Sequence, residues 1–419
     1  MKTATLVMRQ IPRIALPIAT GMVSLSLHGQ IPEGPPTAIT PNFSQDYQVA
    51  PIPGQPATRS SAQPIAPPSP FRYGPISVEP NLSYQITRET GVQATPGNPA
   101  DVTNQSFTAG VAVQAGTNWN LSYTAQWMEY SSGPFQNGVD QNASFGGNFS
   151  LQDWNLDVSQ SFGNVSDPSI ETGRQTHQQS YGTNLRAFYG VGSSQPSLEM
   201  DFGQNIGFAA LSPTIYDWSN QDWAHFPVSP QVDLAIGVGI GYTHEDPGFN
   251  MENVNPQAKI DWRPTTKLTL DAEAGVEESR YLTASRETSQ TPIFSTNISY
   301  QPWPTTTIGA GAARQLNAAL LTNEMSRSTS VNVQVAQRLL THYYFLVGAS
   351  TGKTDYLSVN SGLTNVRGDT TDSLQASLST MVLQRLNLSL TAARTHNASS
   401  AQGFGVSSNQ LGFQAALTF

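Results

Sequence analysis

The sequence predicts an all-β fold: a transmembrane, antiparallel up-and-down β-barrel of about eighteen strands. Three observations predict it. The 419-residue chain carries only 12% charged residues, where soluble domains average about 25%. Segment after segment alternates apolar with polar or small residues at a period of two, as a strand with one apolar face must. No run of about 20 residues is apolar on all sides, so no helical membrane span is expected.

Taken from the N-terminus, residues 1–29 read as a signal peptide, with Lys2, Arg9 and Arg13 ahead of a short apolar stretch. Pro17 and Gly21 interrupt that stretch, which is too short to span a bilayer. Residues 30–75 are dense in proline, with PEGPP, APIPGQP and IAPPSP. Such a segment buries too little apolar surface to offset its ordering, and it is expected to be a disordered periplasmic leader. Residues 76–419 make the barrel.

Within the barrel, segment 232–242 sets Val232, Leu234, Ile236, Val238, Ile240 and Tyr242 against Asp233, Ala235, Gly237, Gly239 and Gly241. The last segment sets Leu411, Phe413, Ala415, Leu417 and Phe419 against Gly412, Gln414, Ala416 and Thr418. Candidate strands of this kind have the roughly 9 to 11 residues that a tilted crossing needs. Short connections with turn chemistry, such as 116–117, 229–230 and 264–265, alternate with long ones. The long ones are expected at 88–104, 131–140, 163–178, 209–219, 244–254, 281–291, 315–326, 352–370 and 395–407. About eight short and nine long connections give about eighteen strands and put both termini in the periplasm. The strand at 220–228 (NQDWAHFPV) is inferred mainly from that alternation, and without it the count is sixteen.

Aromatic residues collect at strand ends. Trp119, Trp154, Trp262, Trp303 and Tyr343 stand beside short turns, while Trp127 and Tyr242 stand toward the opposite ends. Two belts at matching depth are what amphipathic rings form at the two membrane interfaces.

If the apolar face meets lipid, the other face lines a lumen. Its charged positions are Asp157, Arg186, Glu199, Asp201, Asp233, Lys259, Asp261, Lys267, Asp271, Glu273, Glu277 and Arg338. Acids outnumber bases about two to one, which predicts a mild preference for cations. The competing reading of each residue is that it pairs across strands and holds the barrel in shape. The glycines of GVGIGY are not a nucleotide loop, because no helix follows them. They either relieve crowding or admit a closely packed segment.

Several classes are excluded. A net charge of −9 with scattered Lys and Arg argues against nucleic acid. With no cysteine there is no disulfide, thiolate metal site or cysteine nucleophile. The densest titratable run, His244-Glu245-Asp246, lacks the paired histidines of a zinc motif. No catalytic residue, cofactor or metal is expected.

The signal segment, the alternating strands, the two belts and the terminal LGFQAALTF together resemble Gram-negative outer-membrane β-barrel proteins over residues 76–419. The resemblance implies that Leu411, Phe413, Ala415, Leu417 and Phe419 form the terminal signal read by the barrel-assembly machinery. Ala415 is smaller than is usual there. The size and the proline-rich leader are similar to β-barrel porin families often linked to exopolysaccharide systems. The expectation is a porin-like channel in outer-membrane lipid for passive passage of small hydrophilic solutes, mildly cation-preferring. The alternatives are a barrel for exopolysaccharide export, and a structural or adhesive barrel closed by its own loops. The sequence leaves open the solute, the oligomeric state, and whether loops fold inward.

Overall fold

The computed structural model describes residues 71–419 apart from 132, 191–194, 211, 283–287, 341, 362 and 383–384. The signal peptide, and the proline-rich segment as far as residue 70, lie outside the described residues. The first strands are β1 (Phe71–Tyr73), β2 (Ile76–Thr95), β3 (Asn98–Ala115), β4 (Trp119–Tyr130), β5 (Gly138–Leu151) and β6 (Trp154–Ser169). Next come β7 (Arg174–Tyr189), β8 (Ser197–Ala209), β9 (Thr214–Ser229), β10 (Val232–Asp246), β11 (Asn250–Thr265) and β12 (Leu268–Tyr281). The series ends with β13 (Thr288–Trp303), β14 (Thr306–Ala318), β15 (Glu324–Leu339), β16 (Tyr343–Ser358), β17 (Thr364–Val382), β18 (Leu386–Ser399) and β19 (Val406–Thr418).

From β2 onward each strand pairs antiparallel with the next in sequence, and β19 pairs back onto β2. The ring is a closed barrel of eighteen strands, with β1 an extra three-residue strand turned back onto the start of β2. Closure removes every free sheet edge, which is what lets strands satisfy their backbone groups in lipid. The seam matches apolar to apolar: Phe413 faces Ile86, Ala415 faces Tyr84 and Leu417 faces Leu82. The Phe419 amide donates to the Pro80 carbonyl at 3.0 Å and ties the chain end to β2.

Alternation decides the faces. In β10, Leu234, Ile236, Val238 and Ile240 are all exposed, with Ile236 at 60%, while Ala235 between them is buried. The same outward row recurs as Leu198, Met200 and Phe202 in β8, and as Leu411 and Phe413 in β19. An apolar exterior around a polar interior is the architecture of an outer-membrane β-barrel.

The segment at 220–228 is a strand. It lies in β9 and pairs with both β8 and β10, so the count is eighteen and not sixteen. Its poor pattern has a cause: the apolar Trp223 belongs to the buried inner row, while Phe226 and Val228 are exposed outside. The expected long loops are corrected. Segment 88–104 is the paired ends of β2 and β3 around a Pro96-Gly97 turn, and 163–178 is β6 and β7 around residues 170–173. Beyond the bilayer neither face meets lipid, so hydrophobic alternation stops although the ladder of backbone hydrogen bonds continues.

Candidate functional site

The interior wall carries one band of charge across β6 to β12, and strand register assembles it. Asp157 on β6 faces Arg186 on β7, which faces Asp201 on β8. Asp233, Asp261 and Asp271 lie in a row across β10, β11 and β12, with Lys259 facing Glu273 one pleat away. Arg186 is ion-paired to Glu199 through Nη2, and its Nε lies 3.6 Å from Asp201 Oδ1. His225 bridges two acids, with Nε2 3.0 Å from Glu199 Oε2 and Nδ1 2.7 Å from Asp233 Oδ2. Since both ring nitrogens face carboxylates, the arrangement suits an imidazolium, or a neutral ring against one protonated acid. Lys259 Nζ lies 3.9 Å from Asp271 Oδ2 and 6.0 Å from the centre of the Trp223 ring.

Nine of the charged residues read from the sequence therefore meet in this band: Asp157, Arg186, Glu199, Asp201, Asp233, Lys259, Asp261, Asp271 and Glu273. Glu277 is buried further along β12 and accepts from Ser279 Oγ at 2.9 Å. Arg338 lies one residue from the end of β15. Lys267 is corrected: it sits in the turn between β11 and β12, not on the inner wall, and its Nζ donates to the Pro302 carbonyl at 2.9 Å. The ladder ends at Thr265, and a long side chain beyond it folds onto the neighbouring turn. His225 and Trp223 were not legible, because the strand carrying them was itself only inferred.

The glycines of β10 relieve crowding. A Cβ on Gly237 would come within 2.5 Å of the Trp223 ring, so the glycine makes room for a large inward side chain on the adjacent strand.

The mouth opposite the chain ends is crossed by the tip of the β6–β7 hairpin. In a ring of eighteen the strand opposite β6 is β15, nine places on. The Glu171 carboxylate at the tip accepts from the Leu320 amide in the β14–β15 connection. Arg367 on β17 donates to the Glu171 carbonyl at 2.7 Å and the Ile170 carbonyl at 3.0 Å. The same guanidinium is paired in bidentate fashion with Asp369. It also stacks on Phe404 at 3.9 Å and Tyr356 at 4.6 Å. Gly173 closes the tip with φ +68°, and a Cβ there would press on Pro96 and Phe404. Burial pushes the Glu171 carboxyl up to about 7; this residue lies in the connection outside the membrane-spanning strands. Nothing in the sequence signalled this crossing, since it joins residues 149 and more positions apart.

The aromatic residues sit at strand ends or near them. Trp119 opens β4 and stacks on Phe145 at 5.0 Å; Trp154 opens β6 against Tyr189 at 5.0 Å. Trp262, Trp303 and Tyr343 are exposed on the same side of the barrel as these turns. Trp127 lies against Phe107, and Tyr242 against Trp218, toward the other side.

The His244-Glu245-Asp246 run does not converge. His244 bonds Asn250 at 2.6 Å and stacks on Tyr216, while the next residue, Glu245, is buried and accepts from the Asn323 amide at 2.8 Å. Adjacent strand residues point to opposite faces, so three in sequence cannot form one site.

No family model matches the sequence, and no curated protein matches it. Solved structures do show similarity. Pseudomonas aeruginosa OccK2 (OpdF) is 11% identical, with 82% of this chain and 98% of that one covered, at a TM-score of 0.47. Acinetobacter baumannii OccAB2 gives the same four figures. The Pseudomonas aeruginosa protein OpdK, solved with vanillate, is 12% identical, with 82% and 99% covered, at a TM-score of 0.44.

Proposed function

We propose that this chain is a porin-like outer-membrane channel, not an enzyme, that passes small hydrophilic solutes with a mild preference for cations. The observation that supports it is the charge band across β6 to β12, set inside a closed barrel whose outer face is apolar. A wall of this kind is tolerable only beside water or an opposite charge. Arg186, His225 and Lys259 are basic residues of the band, with Arg263 two residues past Asp261 on the same row of β11, and they face seven carboxylates there: Asp157, Glu199, Asp201, Asp233, Asp261, Asp271 and Glu273. That excess attracts cations and repels anions along the path. The crossing hairpin narrows the mouth and sets the size of what passes. The short-turn side, which carries Phe419, faces the periplasm, with the barrel-assembly machinery as the partner that reads the terminal strand.

Purified barrel in a planar bilayer under a salt gradient is expected to give stable conductance steps with cations more permeant than anions. The double variant Asp271→Asn, Glu273→Gln should reduce that preference. A correctly folded barrel without conductance would support the closed structural barrel instead.

A further inference from the structure

Away from the charge band, the interior wall contains an open recess between β2–β6 and the seam strands β18 and β19. Three carboxylates line it: Glu89 on β2, Asp140 on β5 and Asp167 on β6. Glu89 accepts from Gln410 Nε2 at 3.2 Å, and Asp140 accepts from the Ser166 amide at 2.9 Å. The Asp167 carboxylate has no hydrogen-bond partner among the described residues, and none of the three carboxylates forms an ion pair with a lysine, arginine or histidine among them. Like charges gathered in a partly desolvated space without a counter-charge are costly, and a bound cation relieves the cost.

Two further groups ask for a donor. Ser106 is only 5% exposed, lines the recess, and its hydroxyl has no protein partner among the described residues. Asn104 lines it too, and its side-chain oxygen is buried without a hydrogen bond. Buried polar groups are rarely left so unless something absent satisfies them. The acids do not converge as metal ligands: no group of three or more among the described residues could hold one ion. A ligand that meets all three acids therefore carries its positive charge at more than one point. The Met128 side chain and the Tyr130 ring supply apolar and aromatic surface between the acids.

We infer that this recess binds a small organic cation with two separated ammonium groups. One ammonium lies among Glu89, Ser106 and Asn104, the other among Asp140 and Asp167, with the connecting methylenes over Met128 and Tyr130. Asp167 comes from the same hairpin that crosses the mouth, so the site sits beside the constriction. The inference deepens the channel reading and rests on it only in that solute must reach the interior.

The test is isothermal titration of putrescine into folded barrel in detergent, with heat-modifiable gel migration as the check of folding. Saturable binding to the wild type is expected. The double variant Glu89→Gln, Asp140→Asn should weaken it about a hundredfold, about tenfold for each lost charge, or about 1.4 kcal/mol each. If the double variant does not fold, Asp140→Asn and Ser106→Ala alone supply the test, with about tenfold and a few-fold losses expected. Folded wild type that does not bind, or variants that bind as it does, overturn the site. Conductance measured on the same preparation separates the two readings. Current without binding removes the site and leaves the channel, and binding without current does the reverse.

Discussion

Arg367→Ala should free the hairpin that crosses the mouth. Arg367 holds the tip by charge-assisted hydrogen bonds to the carbonyls of Ile170 and Glu171, at 3.0 and 2.7 Å. Hydrogen bonds to charged groups contribute about 1.5 to 3 kcal/mol each, and stacking on a ring about 0.5 to 2 more. The substitution also leaves the buried Asp369 carboxylate without its partner, a loss of about 3 to 5 kcal/mol. That second cost falls on β17 whether or not the tip is docked, so it is not counted toward docking. Loss of the two tip bonds leaves about 3 kcal/mol as the change in docking free energy, equivalent to about 150-fold in the opening equilibrium. Hydrogen exchange read by mass spectrometry on peptides covering 166–174 should therefore accelerate by about that factor, while exchange in β10 stays as in the wild type. Single-channel records should show larger or noisier steps. Unchanged exchange at 166–174 in a folded barrel would refute the latch, because no other change tests those bonds so directly.

Protonation should act on the same latch. The buried Glu171 carboxyl is raised to about 7 when docked, so the docked tip holds a proton that the free tip gives up near its ordinary value of 4.5. Docking is therefore fully favoured below about 4.5 and weakens as pH rises through about 7, by about 3 kcal/mol in all; Glu171→Gln should dock at every pH and flatten the exchange profile. On the outer face, Ile236→Arg places a charge in mid-strand where Ile236 is 60% exposed. It should cost about 2 to 4 kcal/mol in unfolding from lipid vesicles, and a loss below about 1 kcal/mol would mean that β10 does not face the bilayer centre. Deleting Phe419 removes its bond to Pro80 and should lower the yield of heat-modifiable barrel in cells several-fold; an undiminished yield would remove the terminal strand as an assembly signal.

The barrel was legible in the sequence because its cause is local. A strand between lipid and water must alternate, and alternation in Leu234, Ile236, Val238 and Ile240, or in Leu411 and Phe413, states the face of every residue between them. Once the faces are known, so are the charged inner positions, and register with adjacent strands brings Asp157, Arg186 and Asp201 side by side. Legibility failed where that cause is absent. Glu89, Asp140 and Asp167 lie in segments read as loops, since strands leaving the bilayer lose the apolar half of their pattern. Lys267 was placed one residue too deep because strand ends have no sharp signal.

What the sequence determined by itself is the wall: an all-β chain with an even set of strands, an apolar outside and a charged inside. Only the tertiary structure decided what stands within it. Closure puts β6 and β15 at opposite ends of a diameter, and the contact of Glu171 with Leu320 and Arg367 exists because the chain closes on itself. Periodicity reports the neighbours of a residue along one strand. It carries no information about what the ring brings across from it.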